Sequence, residues 1–142
     1  MKVLLARPND FLVYDMSAWL RSLGLEPVRL SKLSELTAHP VTEIAGLVLS
    51  SAVTSAIPES LGAAMGAVRK VFPRKPVLIS GLARLESARV GLARELEGAT
   101  LKGPAEPAAW GQPGVLLYVH GDQLHARDPD LQKAARQHLG LD

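Results

Sequence analysis

Residues 45–50 read Ala-Gly-Leu-Val-Leu-Ser, a short apolar run that ends in a hydroxyl, with a second serine directly after it. A strand with one wet face would alternate; an unbroken run of this length belongs to a parallel strand covered on both sides. Outward from it, residues 2–6 (Lys-Val-Leu-Leu-Ala) and 76–79 (Pro-Val-Leu-Ile) have the same character. The segments between these runs carry helical spacing. Leu12, Met16, Trp19, Leu20 and Leu23 form one stripe closed by Gly24. A second runs from Leu61 through Ala64, Met65 and Val68 to Phe72, with Pro58 and Glu59 suited to its first turn and Pro73 as its stop. Leu85, Ala88, Leu92 and Leu96, closed by Gly98, make a third. Residues 25–30 read as a strand broken by Pro27, which has no N–H for a ladder, so they belong at a sheet edge. Residues 31–39 carry a weak helical pattern ended by Pro40, and residues 99–101 a short further strand. Strand and helix therefore alternate, which predicts an α/β fold: a doubly wound parallel sheet of five strands with helices on both faces.

The pattern changes after residue 103. Residues 103–114 are rich in Pro and Gly and read as a connector. Residues 115–119, the loop His120-Gly121-Asp122-Gln123 and residues 124–127 then suggest a β-hairpin with glycine at the first loop position. On that pairing Leu117, Val119 and Leu124 share an apolar face, and Tyr118, His120 and His125 a polar one. Asp128 and Pro129 open a last helix, as cap and first residue, with Leu131, Ala134, Ala135, His138 and Leu139 inward. The expected division is residues 1–104 as the α/β domain and 105–142 as connector, hairpin and C-terminal helix packed on it.

The chain has 142 residues and a formal net charge of +2, too little positive charge for a phosphate-backbone binder, so nucleic acid is disfavoured. It has no Cys, which removes disulfides, thiolate nucleophiles and zinc knuckles together. No apolar run approaches the ~20 residues of a bilayer span, and Arg7-Pro8 interrupts the apolar start before a secretory leader could form. The expectation is a cytoplasmic protein away from membranes. Asn9 is the single Asn and Arg outnumbers Lys, a composition that suggests a GC-rich bacterial source.

Residues 1–104 resemble a response-regulator receiver domain. The resemblance lies in the helix ending Leu-Gly-Leu-Glu-Pro-Val (residues 23–28), the strand Gly-Leu-Val-Leu, the strand Pro-Val-Leu-Ile-Ser-Gly and a final strand running into Thr100-Leu101-Lys102. It implies a flavodoxin-like or CheY-like sheet in the order 2-1-3-4-5. It also implies that the family's acidic pair falls on Arg7 and Pro8, its phospho-accepting Asp on Ser51, its hydroxyl switch on Ser80 and its strand-five Lys on Lys102. Receiver phosphorylation needs carboxylates to hold Mg²⁺ and an Asp to take the phosphoryl group, and none of the three carboxylates is present. The resemblance thus implies a non-catalytic pseudo-receiver acting as a protein-interaction module in bacterial signalling. Its expected partner is another cytoplasmic protein; a homodimer is compatible with the same reading.

The remaining polar residues have plainer readings beside their functional ones. Ser50, Ser51, Thr54 and Ser55 lie at the carboxyl end of a central strand, where open α/β sheets hold ligands. The alternative function is therefore a small-ligand protein that takes a phosphate or nucleotide in this loop, against a solvated loop whose hydroxyls cap their own backbone. No glycine-rich phosphate loop follows the first strand. His120, His125 and Asp122 have the chemistry of a zinc site, but an exposed turn is favoured, and no metal or cofactor is assigned. No Gly-x-Ser-x-Gly elbow occurs, so no catalytic residue is named and the chain is not expected to be an enzyme. Arg84, Arg89 and Arg94 alternate with acidic residues as a solvated face. With Trp110, Tyr118, His120 and His125 they make up the expected interaction surface, Trp110 being either a partner anchor or a pin for the connector.

Overall fold

The computed structural model describes residues 1–6, 10–51, 60–96, 98–126 and 128–141, less the side chains of residues 10–12, 125 and 126. Six parallel strands form one sheet: β1 (Lys2–Ala6), β2 (Glu26–Arg29), β3 (Ile44–Ser50), β4 (Val77–Gly81), β5 (Thr100–Lys102) and β6 (Val115–His120), in the order β2-β1-β3-β4-β6-β5. The apolar runs are the interior strands as expected. Every residue of β3 and β4 is buried, and Pro27 sits on the edge strand β2 opposite Val3, where its missing N–H costs no ladder bond.

Helices cover both faces. Helix α1 (Asp10–Ser22) packs on one side with α4 (Gly121–Ala126) and α5 (Pro129–His138), around Met16, Trp19, Leu20, Leu78, Leu117, Leu124 and Leu131. On the other side lie α2 (Leu61–Val71) and α3 (Leu85–Leu92), around Leu47, Met65, Val68, Phe72, Ile79 and Leu116. Ser60, rather than a residue before it, is the α2 cap; its hydroxyl accepts from the Ala63 N–H. The expected Pro58–Glu59 start lies outside the described residues. The weak pattern over 31–39 folds as a 3₁₀ segment, Leu33–Ala38, that buries Leu36. Trp19 is core, and its Nε1–H donates to Gln132 Oε1 at 3.1 Å, tying α1 to α5.

The tail departs from the sequence reading. Val115–His120 is no hairpin arm: it pairs in parallel with β4 on one side and β5 on the other, so a sixth strand is inserted where five in the order 2-1-3-4-5 were expected. Leu116, Leu117, Tyr118 and Val119 are all buried, which is the doubly covered run of a parallel strand rather than the alternation of a hairpin. Residues 121–126 form α4 because His120 and Gln123 cap it reciprocally. His120 Nδ1 accepts from the Asp122 N–H at 3.1 Å, and Gln123 Oε1 accepts from the His120 N–H at 3.0 Å, a capping box in which the cap bonds the second helical N–H instead of the third. The polar face expected to carry Tyr118, His120 and His125 does not exist. Tyr118 is buried, and the His125 side chain lies outside the described residues.

The connector from β5 to β6 is held by side chains instead of a helix. Arg89 Nε donates to the Leu101 carbonyl at 3.0 Å, occupying the outer edge of β5, and its guanidinium pairs with Glu106 and with Glu86. Glu106 also accepts from the Gly103 N–H at 2.7 Å. That backbone bond, reinforced by the nearby Arg89 and Lys102, holds its carboxyl below the ordinary range. Farther along, His138 on α5 is 1% exposed. Its Nδ1 accepts from the Gly111 N–H at 2.9 Å, its Nε2–H donates to the Val77 carbonyl at 3.0 Å, and Trp110 packs edge-on against the ring. One imidazole thus joins the connector, α5 and β4, and the Gly111 bond requires an unprotonated Nδ1, hence the neutral ring.

Burial lowers the His138 pKa against the opposing effect of the Val77 bond. Above about pH 6.5 the ring is neutral in folded and unfolded chains alike, so it adds no pH dependence. Below that pH the unfolded chain takes up the proton first, and stability declines until the pH reaches the depressed folded value. Urea midpoints should therefore fall between about pH 7 and pH 5 by more in the wild type than in His138→Gln. Parallel declines in the two proteins would show that His138 does not set this dependence.

Candidate functional site

The carboxyl ends of β3, β4 and β6 meet at one edge of the sheet. Ser50 lies opposite Ser80, and Gly81 opposite His120. Successive side chains in a strand point to opposite faces, and this sorts the two candidate serines of the loop. Ser50 is buried on the α1 and α5 side. Ser51, the next residue, is exposed, and its N–H donates to the Ser80 carbonyl at 2.8 Å.

Ser80 follows the same rule. It shares a face with Leu78, which packs on the α1 side, and its hydroxyl is fully buried with no partner among the described residues. Ser80 therefore cannot present a hydroxyl beside Ser51, as its expected switch position would require. The neighbour of Ser51 is Gly81. A Cβ there would lie 2.9 Å from Ser51 Oγ and 2.7 Å from Tyr118 Oη, so two hydroxyls occupy the space above this glycine.

Lys102 is displaced for a topological reason. The strand beside β4 is β6, and it ends in His120; Lys102 lies on the outer strand β5, opposite Leu117 in the middle of β6. Among the described residues that end β3, β4 and β6, the basic group is the His120 imidazole. Its Nε2–H donates to the Leu82 carbonyl at 3.0 Å while its Nδ1 accepts from Asp122, so the neutral Nε2–H tautomer satisfies both bonds. The Tyr118 hydroxyl donates to the Ala83 carbonyl at 2.6 Å. Together β6 fastens two consecutive carbonyls of the loop that leads from β4 into α3.

Arg7, Pro8, Thr54 and Ser55 lie outside the described residues. Among the described residues no three His, Cys, Asp or Glu side chains come together as a metal would require, and none of the described helices is long and apolar enough to cross a membrane. The expected interaction surface is divided. Arg84 and Arg94 are exposed at the two ends of α3. Arg89 is committed to Leu101, Glu86 and Glu106, Tyr118 is inside, and Trp110 is half-buried with its ring against His138. Sequence reading missed two exposed apolar residues in and just before α3, Leu82 (65% exposed) and Val90 (81% exposed). Val90 breaks the inward spacing of Leu85, Ala88 and Leu92, and that break is the signal that marks it.

Solved structures that share this fold include the following three. The receiver domain of a sensor histidine kinase from Pseudomonas aeruginosa PAO1, with magnesium coordinated in its active-site cleft, matches with a TM-score of 0.63 at 14% identity, covering 98% of this chain and 97% of its own. A sensor protein from Polaromonas sp. JS666 matches with a TM-score of 0.58 at 8% identity, over 99% of this chain and 98% of that one. NtrX from Brucella abortus, in complex with ADP, matches at 0.52 and 15% identity over 94% of this chain, which spans 26% of NtrX. No protein-family model matches the chain, and no curated protein matches it by sequence. The fold is that of receiver domains, with β6 in the place next to β4.

Proposed function

We propose that this chain is a receiver-fold module of bacterial signalling that works by binding another cytoplasmic protein and performs no phosphoryl chemistry of its own. The observation that carries this reading is the edge at Ser51: a hydroxyl stands at the end of β3 where the chemistry needs a carboxylate, and the Ser51 and Tyr118 hydroxyls crowd Gly81. Arg7 and Pro8, at the positions of the acidic pair, supply no oxygen ligand for Mg²⁺. Incubation with acetyl phosphate and Mg²⁺ should leave the intact mass unchanged. A stoichiometric gain of one phosphoryl group that disappears in Ser51→Ala would refute the reading.

The contact surface proposed for the partner is the exposed side of α3 and the loop before it. Leu82 and Val90 are apolar and open to solvent, Arg84 and Arg94 are exposed on the same stretch of chain, and the Tyr118 and His120 bonds hold the loop in one shape before any partner arrives. A preformed surface loses less entropy on binding. Val90→Glu should weaken retention of the wild-type partner about tenfold or more while leaving the melting temperature unchanged, since Val90 contributes almost nothing to the core. Equal retention by both proteins would move the surface away from α3.

A further inference from the structure

At the opposite edge of the sheet, where β5 and β6 begin, the last turns of α2, Leu96, Gly98 and Ala99, and residues 113–114 line a cleft of about 360 Å³. Its walls are largely apolar, with Met65 and Leu96 buried beside it, and Arg69 is the cation that lines it. Gly66, Gly98 and Gly114 border open space: a Cβ at any of them would meet no atom within 4 Å.

Arg69 is half-buried here and its guanidinium donates to the Pro113 carbonyl, a neutral partner. Among the described residues no carboxylate pairs with it. Its desolvation is not offset, and burial holds it below the ordinary arginine range. A guanidinium taken partly out of water is stabilised by a planar anion that matches its fork. With one cation and apolar walls, the cleft suits a single negative charge on an apolar body better than a dianionic phosphate. Its volume lies at the small end of ligand pockets, too small for a folded partner.

We propose that this cleft binds a small aliphatic or aromatic monocarboxylate, its carboxylate on Arg69 and its body against Met65 and Leu96. The site is separate from the Ser51 edge and from the α3 surface, and does not depend on the function proposed for either.

The test is an amide-resolved NMR titration with hexanoate and benzoate, with hexanamide and inorganic phosphate as comparators. Both acids should produce saturable shifts at the Gly66, Gly98 and Gly114 amides, and the comparators should not. Arg69→Gln should weaken binding about tenfold or more, the scale of one lost charge-assisted bond. Gly66→Leu fills the cleft from a helix position that favours leucine over glycine, so it should abolish the shifts in a protein that still folds, and it decides the matter if Arg69→Gln does not fold. Glu97 lies outside the described residues, and Glu97→Gln tests its carboxylate separately: binding in the wild type that persists in this variant supports the site. Binding seen only after Glu97→Gln, equal binding of hexanamide, or no glycine shifts would overturn it.

Discussion

A chain ending at residue 104 should not fold. Composition and pattern place a boundary there, and a receiver-like domain closed by residues 100–102 would survive the cut. The strand order says otherwise. Strand β5 has β6 as its partner and lies beyond it, so removing residues 105–142 strips β5 of its ladder and leaves β4 with an unpaired edge. The cut also removes Leu116, Leu117, Val119, Leu124, Leu131 and Leu139 from the two cores. At about 1.5–3 kcal/mol for each buried side chain, the loss is roughly 9–18 kcal/mol, as large as the ~5–15 kcal/mol that stabilises a whole domain. Residues 1–104 should show no cooperative urea transition and poorly dispersed amide signals. The full chain should show one transition, because β6 belongs to both cores. A cooperative transition in the short chain would mean that β6 is an accessory strand and that the boundary at 104 is real.

The same strand marks where the sequence is legible and where it is not. Doubly buried parallel strands announce themselves as unbroken apolar runs, and β1, β3 and β4 are placed by that rule; residues 115–119 carry the identical signature. What hid their role was the connector. Parallel neighbours are normally joined through a helix, and residues 103–114 offer none, so a local hairpin looked like the shorter path. The joint is made instead by Arg89, Glu106 and His138, whose distant partners lie 12 to 61 residues away. No periodicity encodes such contacts. The capping box at His120 and Gln123 was readable in principle, since a Gln three residues after a cap is a helix start, but histidine is an unusual cap and Gly121 favoured a turn. At the site, alternation separates Ser80 from Ser51 once the register is known; without it the two hydroxyls looked equivalent. The arginine row of α3 shows the limit of composition, because Arg89 differs from Arg84 and Arg94 only in what the fold brings to it.

The second large effect is expected at Gly46, in the middle of β3. A Cβ at this position would lie 2.5 Å from Leu139 Cδ2 and 2.8 Å from the Pro76 carbonyl oxygen. The two obstacles differ in kind. Leu139 presents the far end of a flexible side chain, on the turn that ends α5, and it can rotate away at modest cost. Pro76 presents backbone, and its carbonyl accepts from the Leu47 N–H at 3.1 Å as β4 begins, so moving it disturbs the pairing of the two central strands. Gly46→Ala should therefore cost about 1–3 kcal/mol, the range for overfilling a packed interior, and Gly46→Val more. Combining Gly46→Ala with Leu139→Ala separates the causes. If the side chain were the whole obstacle, the double variant would cost no more than Leu139→Ala alone. If the carbonyl matters as argued, a residual penalty should remain in the urea midpoint, and a double-mutant cycle should recover only part of the Gly46→Ala loss. Full recovery would show that β3 and α5 meet through the leucine alone. Partial recovery would establish that the glycine is needed for backbone approach, which fixes how closely the chain before β4, and with it the β4–β6 pair, is seated against β3.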